Sequence, residues 1–95
     1  MPTISSFYGI IIFMHITRKE HLPPHIHARY GENEATFLIS TGELYTGAFP
    51  SKGKQLIREF VLMYKEELQK MWDTEVYTKL PPLDWNYGNG LYSSN

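Results

Sequence analysis

From Ile57 to Trp72 the apolar residues Ile57, Phe60, Val61, Tyr64, Leu68, Met71 and Trp72 recur every three or four positions. That spacing is one stripe of an amphipathic helix. Arg58, Glu59, Lys65, Glu66, Gln69 and Lys70 cover its outer side, and Leu62 is a single exposed leucine of an ordinary kind. Pro50-Ser51 opens the helix, with Ser51 as the expected N-cap, and Pro81-Pro82 stops any continuation. No other stretch carries this period. Whatever else the chain forms has one helix to bury against, so a sheet built from the remainder has one covered face and one open face.

The remainder reads as strands. "GIIIFMHI", opened by Gly9, is β-branched and aromatic and apolar on both faces, which suits a central strand. Arg18-Lys19-Glu20 turns the chain in water, and Leu22-Pro23-Pro24 delivers it stiffly extended, because proline lacks an N–H and holds its predecessor out of the helical region. "HIHARY" alternates: Ile26, Ala28 and Tyr30 share one face, His25, His27 and Arg29 the other. Gly31-Glu32-Asn33 is a hairpin turn. "EATFLIS" alternates again, with Ala35, Phe37 and Ile39 opposite Glu34, Thr36, Leu38 and Ser40. Thr41-Gly42 turns into a fourth strand, "ELYTGAF", ending near Gly47.

The expected architecture is a single α+β domain over residues 1–84, a small antiparallel four-stranded meander with one long C-terminal helix packed on one face. A flexible Gly-, Asn- and Ser-rich tail, 85–95, follows. The helix is expected to cover Ile26, Ala28, Tyr30, Ala35, Phe37 and Ile39, leaving His25, His27, Arg29, Thr36 and Leu38 uncovered. The first strand must also show the open face either Ile11, Phe13 and His15 or Ile10, Ile12, Met14 and Ile16. Both choices set large apolar residues beside the histidines, the mark of a binding surface.

Composition removes several function classes. A net charge of −1 argues against a broad nucleic-acid face, although a local basic patch stays open. With no cysteine there are no disulfides and no thiolate metal sites. The longest apolar run, Ile10 to Met14, is far too short to span a bilayer, and Met1-Pro2-Thr3 has no basic region of a secretory signal. The expectation is a cytoplasmic protein with no membrane partner. "PSKGKQ" lacks phosphate-loop spacing, and Met71 and Trp72 read as helix-end core rather than a cofactor box.

"MPTIS", "HLPPHIHARYGE", "GELYTGAFP", "EELQKMWD" and "LPPLD" resemble the small bacterial proteins catalogued as domain of unknown function 4160, over about the first nine-tenths of the chain. The segment with His21, Pro23, Pro24, His25 and His27 is the most specific of these. Members of that family are often encoded beside another small protein, as in toxin–antitoxin or regulatory pairs. The resemblance therefore implies a shared fold and a small protein partner, and it carries no established activity. Similar proteins often have tryptophan about where this chain has Phe60, a change of packing only.

Four readings compete for the histidine segment. In the first, His25 and His27 point the same way from one strand and converge on a divalent metal such as zinc, with His21 as third ligand and His15 as a further candidate. No carboxylate has obvious ligand spacing. In the second, His25 and His27 serve as catalytic acid and base and Arg29 holds a phosphate, giving a small hydrolase or ribonuclease. No nucleophile motif accompanies them. In the third, which carries most weight, the face is an interaction surface for a second small protein or another copy of the chain, with nucleic acid weakly supported. In the fourth, the prolines only shield a strand and the histidines only satisfy local carbonyls.

Overall fold

The computed structural model of the chain describes residues 2–16 and 22–83. In chain order the elements are β1 (Thr3–Phe7), β2 (Ile10–Phe13), β3 (His25–Tyr30), β4 (Asn33–Leu38), β5 (Leu44–Gly47), α1 (Ser51–Met63) and α2 (Lys65–Thr74). The strands form one antiparallel sheet in the order β1-β2-β3-β4-β5. The α+β meander is therefore present, with five strands in place of four and two helices in place of one.

The additional strand, β1, is paired to β2 through a two-residue turn at Tyr8-Gly9, where both residues have positive φ (50° and 80°). Turns of that hand match the twist of antiparallel strands. Gly9 is thus a turn residue, and the strand begins at Ile10. The register of β1 shifts between Thr3 and Ser5, so Ile4 and Ser5 are buried in succession. A bulge of this kind removes the alternation by which a strand is recognised in sequence.

The helical stripe is buried as its spacing predicts: Ile57, Phe60, Val61, Leu68, Met71 and Trp72 are inside, and Tyr64 packs at the margin. The helix bends at Tyr64 (φ −115°, ψ 28°), although Tyr64 N–H still bonds Phe60 O and Leu68 N–H bonds Tyr64 O. A straight rod from Ser51 to Thr74 would run about 36 Å at 1.5 Å per residue. Strands of four to six residues span only about 20 Å or less. The break at Tyr64 divides the apolar stripe between α1 and α2, and Trp72 of α2 meets His25 at the start of β3.

Ser51 is the first residue of α1 rather than its cap. The N-cap is Pro50, extended at φ −61° and ψ 148°, with no side-chain capping bond. Its ring holds the φ that an N-cap needs, and its carbonyl accepts the N–H of Lys54. Tyr30 also departs from expectation. It stands at the last position of β3, beyond the cover of α1, and is 44% exposed beside Phe49. Beyond α2, Leu80 N–H bonds Ile4 O at the outer edge of β1, and Tyr77, Leu80 and Leu83 join the core. Among the described residues no helix is long and apolar enough to cross a membrane. The proposed tail, 85–95, lies outside the described residues.

Candidate functional site

Alternation along β3 places Ile26 and Ala28 in the core and turns His25, His27 and Arg29 to the other side of the sheet. The antiparallel register sets Phe13 opposite His27 and Ile11 opposite Arg29. This settles which half of β2 faces outward. Ile10, Ile12 and Met14 are in the core; Ile11, Phe13 and His15 share the histidine face.

On that face the side chains form a row across β2, β3 and α2. The Arg29 guanidinium lies 5.8 Å from the centre of the Phe13 ring. Phe13 stacks on His27 at 5.0 Å and 22°. His27 meets His25 at 5.2 Å, and His25 meets Trp72 at 5.0 Å. His15 stands edge-on to His27 at 6.0 Å, and Tyr45 lies 6.1 Å from His25. Phe13 is only 4% exposed although it is not part of the main core, because its neighbours on the open face enclose it. Each such contact contributes about 0.5–1.5 kcal/mol, so together they hold these side chains in set rotamers.

The two β3 histidines differ. His25 was expected on an uncovered face, yet it is 5% exposed, because the bend at Tyr64 carries Trp72 of α2 onto it. Its Nδ1 lies 2.9 Å from Pro23 O. A carbonyl can only accept, so Nδ1 carries the proton. Pro24 continues this arrangement by accepting the N–H of Ile39. The diproline thus brings its carbonyls to fixed positions, one orienting the imidazole and the other closing the end of the β3–β4 pair.

His27 is half-buried, beside β4. Its Nδ1 lies 4.0 Å from Glu34 Oε2, too long for a hydrogen bond but close enough to feel its charge. Its Nε2 is enclosed and has no hydrogen-bond partner of ordinary geometry. Burial, first, and the neighbouring His25, second, hold His27 below the usual histidine value. Glu34 opposes them, His15 adds to them, and a main-chain contact with His15 opposes them again. On balance the surroundings favour the neutral ring over the charged one. Around it Arg29, His15 and Glu34 are exposed, and Thr36 Oγ1 and Thr46 Oγ1 pair at 2.6 Å across β4 and β5.

His25, His27 and Arg29 are thus brought to one face, with His15 beside them. His21 lies outside the described residues, and with it the complete His21, His25 and His27 metal set. Among the described residues no group of three His, Cys, Asp or Glu side chains is arranged to hold a metal ion. Sequence reasoning left Phe13 as one of two alternatives for the open face, did not single out Glu34 or Tyr45 as members of the site, and took Trp72 for core alone. Strand parity could have found Glu34, whereas Phe13 needed the register of β2 on β3. No local signal marks Trp72 as a neighbour of His25.

No curated protein and no solved structure matches the chain. A family model described as Domain of unknown function (DUF4160) matches residues 9–73, a span that includes every member of the Arg29–Phe13–His27–His25–Trp72 row. The chain belongs to that family.

Proposed function

We propose that the chain is an interaction module whose working surface is the open sheet face around His27, Arg29, Phe13 and His15. Its partner is a second small protein, in a cytoplasmic pair of toxin–antitoxin-like or regulatory type. The observation that carries this reading is the stacked row itself. Arginine and aromatic side chains dominate binding energy in protein interfaces. Here exposed Arg29 and half-buried His27 are the members a partner can reach, and Phe13 and His25, buried beside them, hold them in place before any partner arrives, which lowers the entropy cost of association. Exposed Arg29, Glu34 and His15 supply both signs of charge and several hydrogen-bonding groups at the rim.

The test is co-expression with the protein encoded by the adjacent gene, followed by titration calorimetry. Complex formation is expected, with Arg29→Ala and His27→Ala each weakening it at least about tenfold, or about 1.4 kcal/mol. Lys54→Ala, near the start of α1, should not. Absence of a complex, together with a monomer by sedimentation at about 100 μM, removes the reading.

One observation favours a second reading, a small hydrolase or ribonuclease. His27, held below the usual histidine value first by burial, lies on one strand with Arg29, so the pair resembles a base beside a phosphate-binding group; with Nε2 enclosed, any proton exchanged with a substrate would pass through Nδ1, on the Glu34 side. His25, sealed under Trp72, would position His27 rather than touch substrate. RNA cleavage lost in His27→Ala with the protein complex intact would favour this reading over docking.

A further inference from the structure

The two outer strands of the sheet end differently. At β1 the chain closes part of its own edge, where Leu80 N–H bonds Ile4 O and Leu80 packs against the core. At the other side, among the described residues, no strand lies beyond β5. All 4 residues of β5 are exposed. An outer strand leaves main-chain N–H and C=O groups pointing away from the sheet, ready to pair with another chain. Proteins commonly blunt such an edge with lysine, proline, a bulge or a covering segment. Leu44-Tyr45-Thr46-Gly47 has no charge and no proline. Its shortness and its register shift against β4 limit how strongly it can pair, but neither repels a second strand.

The charges beside β5 make it complementary to itself in one direction. Glu43, exposed, comes immediately before the strand. Beyond its other end α1 begins, with no acidic residue in its first turn and with Lys54 exposed. The positive end of the helix dipole adds to that lysine. Among the described residues neither Glu43 nor Lys54 makes an ion pair. Two antiparallel copies of β5, related by a two-fold axis, bring the acidic start of each strand toward the basic end of the other. Between those ends uncharged residues meet uncharged residues. A parallel pair sets Glu43 beside Glu43. Pairing also covers Leu44 and Tyr45, which are 37% and 41% exposed.

We propose that β5 is a dimerisation edge, to which a second copy of this chain adds its own β5 in the antiparallel sense, joining the two sheets into one. The pairing uses the main chain of β5 and not His27 or Arg29, so it does not depend on the function proposed for that face. Strands of 4 residues give an interface well below the ~20–30 residues a side of a standard one, so the dimer is weak, with a Kd of about 0.1–1 mM. The test is sedimentation equilibrium from about 0.02 to 2 mM, with amide shifts of the ¹⁵N-labelled chain followed over the same range. The mass should rise from 11.1 kDa toward twice that value, with concentration-dependent shifts centred on Leu44–Gly47. Leu44→Lys and, separately, Tyr45→Lys should each weaken the dimer at least about tenfold while the spectrum away from β5 stays that of the parent; Leu62→Lys, at an exposed position of α1, should not. Glu43→Lys should also weaken it, and adding Lys54→Glu should restore it. A single-chain mass at about 2 mM, shifts centred on the histidine face, full dimerisation of both edge-lysine variants, or no recovery in the charge-swapped double variant would overturn the proposal.

Discussion

Gly53→Ala sets two physical effects against each other. Alanine is a better helix former than glycine by up to about 1 kcal/mol, so in an open helix the change stabilises. In this structure a Cβ on Gly53 would lie 2.7 Å from Phe49 Cε2 and 2.8 Å from Cδ2. Ordinary carbon contacts begin near 3.5 Å, so the ring must retreat by about 0.8 Å. It has little room, because Phe49 is buried edge-on against Phe37 at 5.6 Å and lies 6.4 Å from Tyr30. Overpacking of a close-packed site costs about 1–3 kcal/mol. Packing therefore wins, and the net loss should be about 1–2 kcal/mol. Urea unfolding, with the slope checked for constancy, measures it. The decisive control repeats the substitution in a Phe49→Leu background, where the ring is gone and alanine should stabilise by up to about 1 kcal/mol. Gly53→Ala as stable as the parent, or equally harmful in both backgrounds, would refute the argument.

Two further outcomes test the site. Trp72→Ala should cost about 3–5 kcal/mol and unseal His25, raising its rate of modification by diethyl pyrocarbonate; Trp72→Phe, a milder change, should raise that rate less. A loss below about 1 kcal/mol with His25 still protected would mean that Trp72 does not close this site. For His27, the folded chain binds its proton more weakly than the unfolded chain does, because its value is lowered from 6.5. Between the folded and unfolded values the unfolded chain holds more protons, so stability falls as pH drops from above 6.5 through that window. Urea midpoints across that range should show this slope in the parent and a shallower one in His27→Gln, and equal slopes would count against it.

Much of the fold was legible because periodicity is local. The parity of "HIHARY" and "EATFLIS" assigned Ile26, Ala28, Ala35 and Phe37 to the core, and the stripe from Ile57 to Trp72 assigned the helix face. β1 was not legible, since its bulge buries Ile4 and Ser5 in succession and its turn uses Tyr8 where asparagine or aspartate is the usual signal. The bend at Tyr64 was hidden for a different reason. The stripe continues through it in phase, and nothing local records how short the sheet beneath is.

The candidate site divides along the same line. That His25, His27 and Arg29 share a strand face follows from the two-residue period of an extended chain, and needs no tertiary information. Which of them meets solvent does not. Phe13 reaches His27 only through the register of β2 on β3, and Trp72 reaches His25 only through the packing of α2 against the start of β3. A local pattern determines the direction in which a side chain points. Burial and the field around an imidazole depend on groups far away in the chain, and those are assembled only when the layers pack.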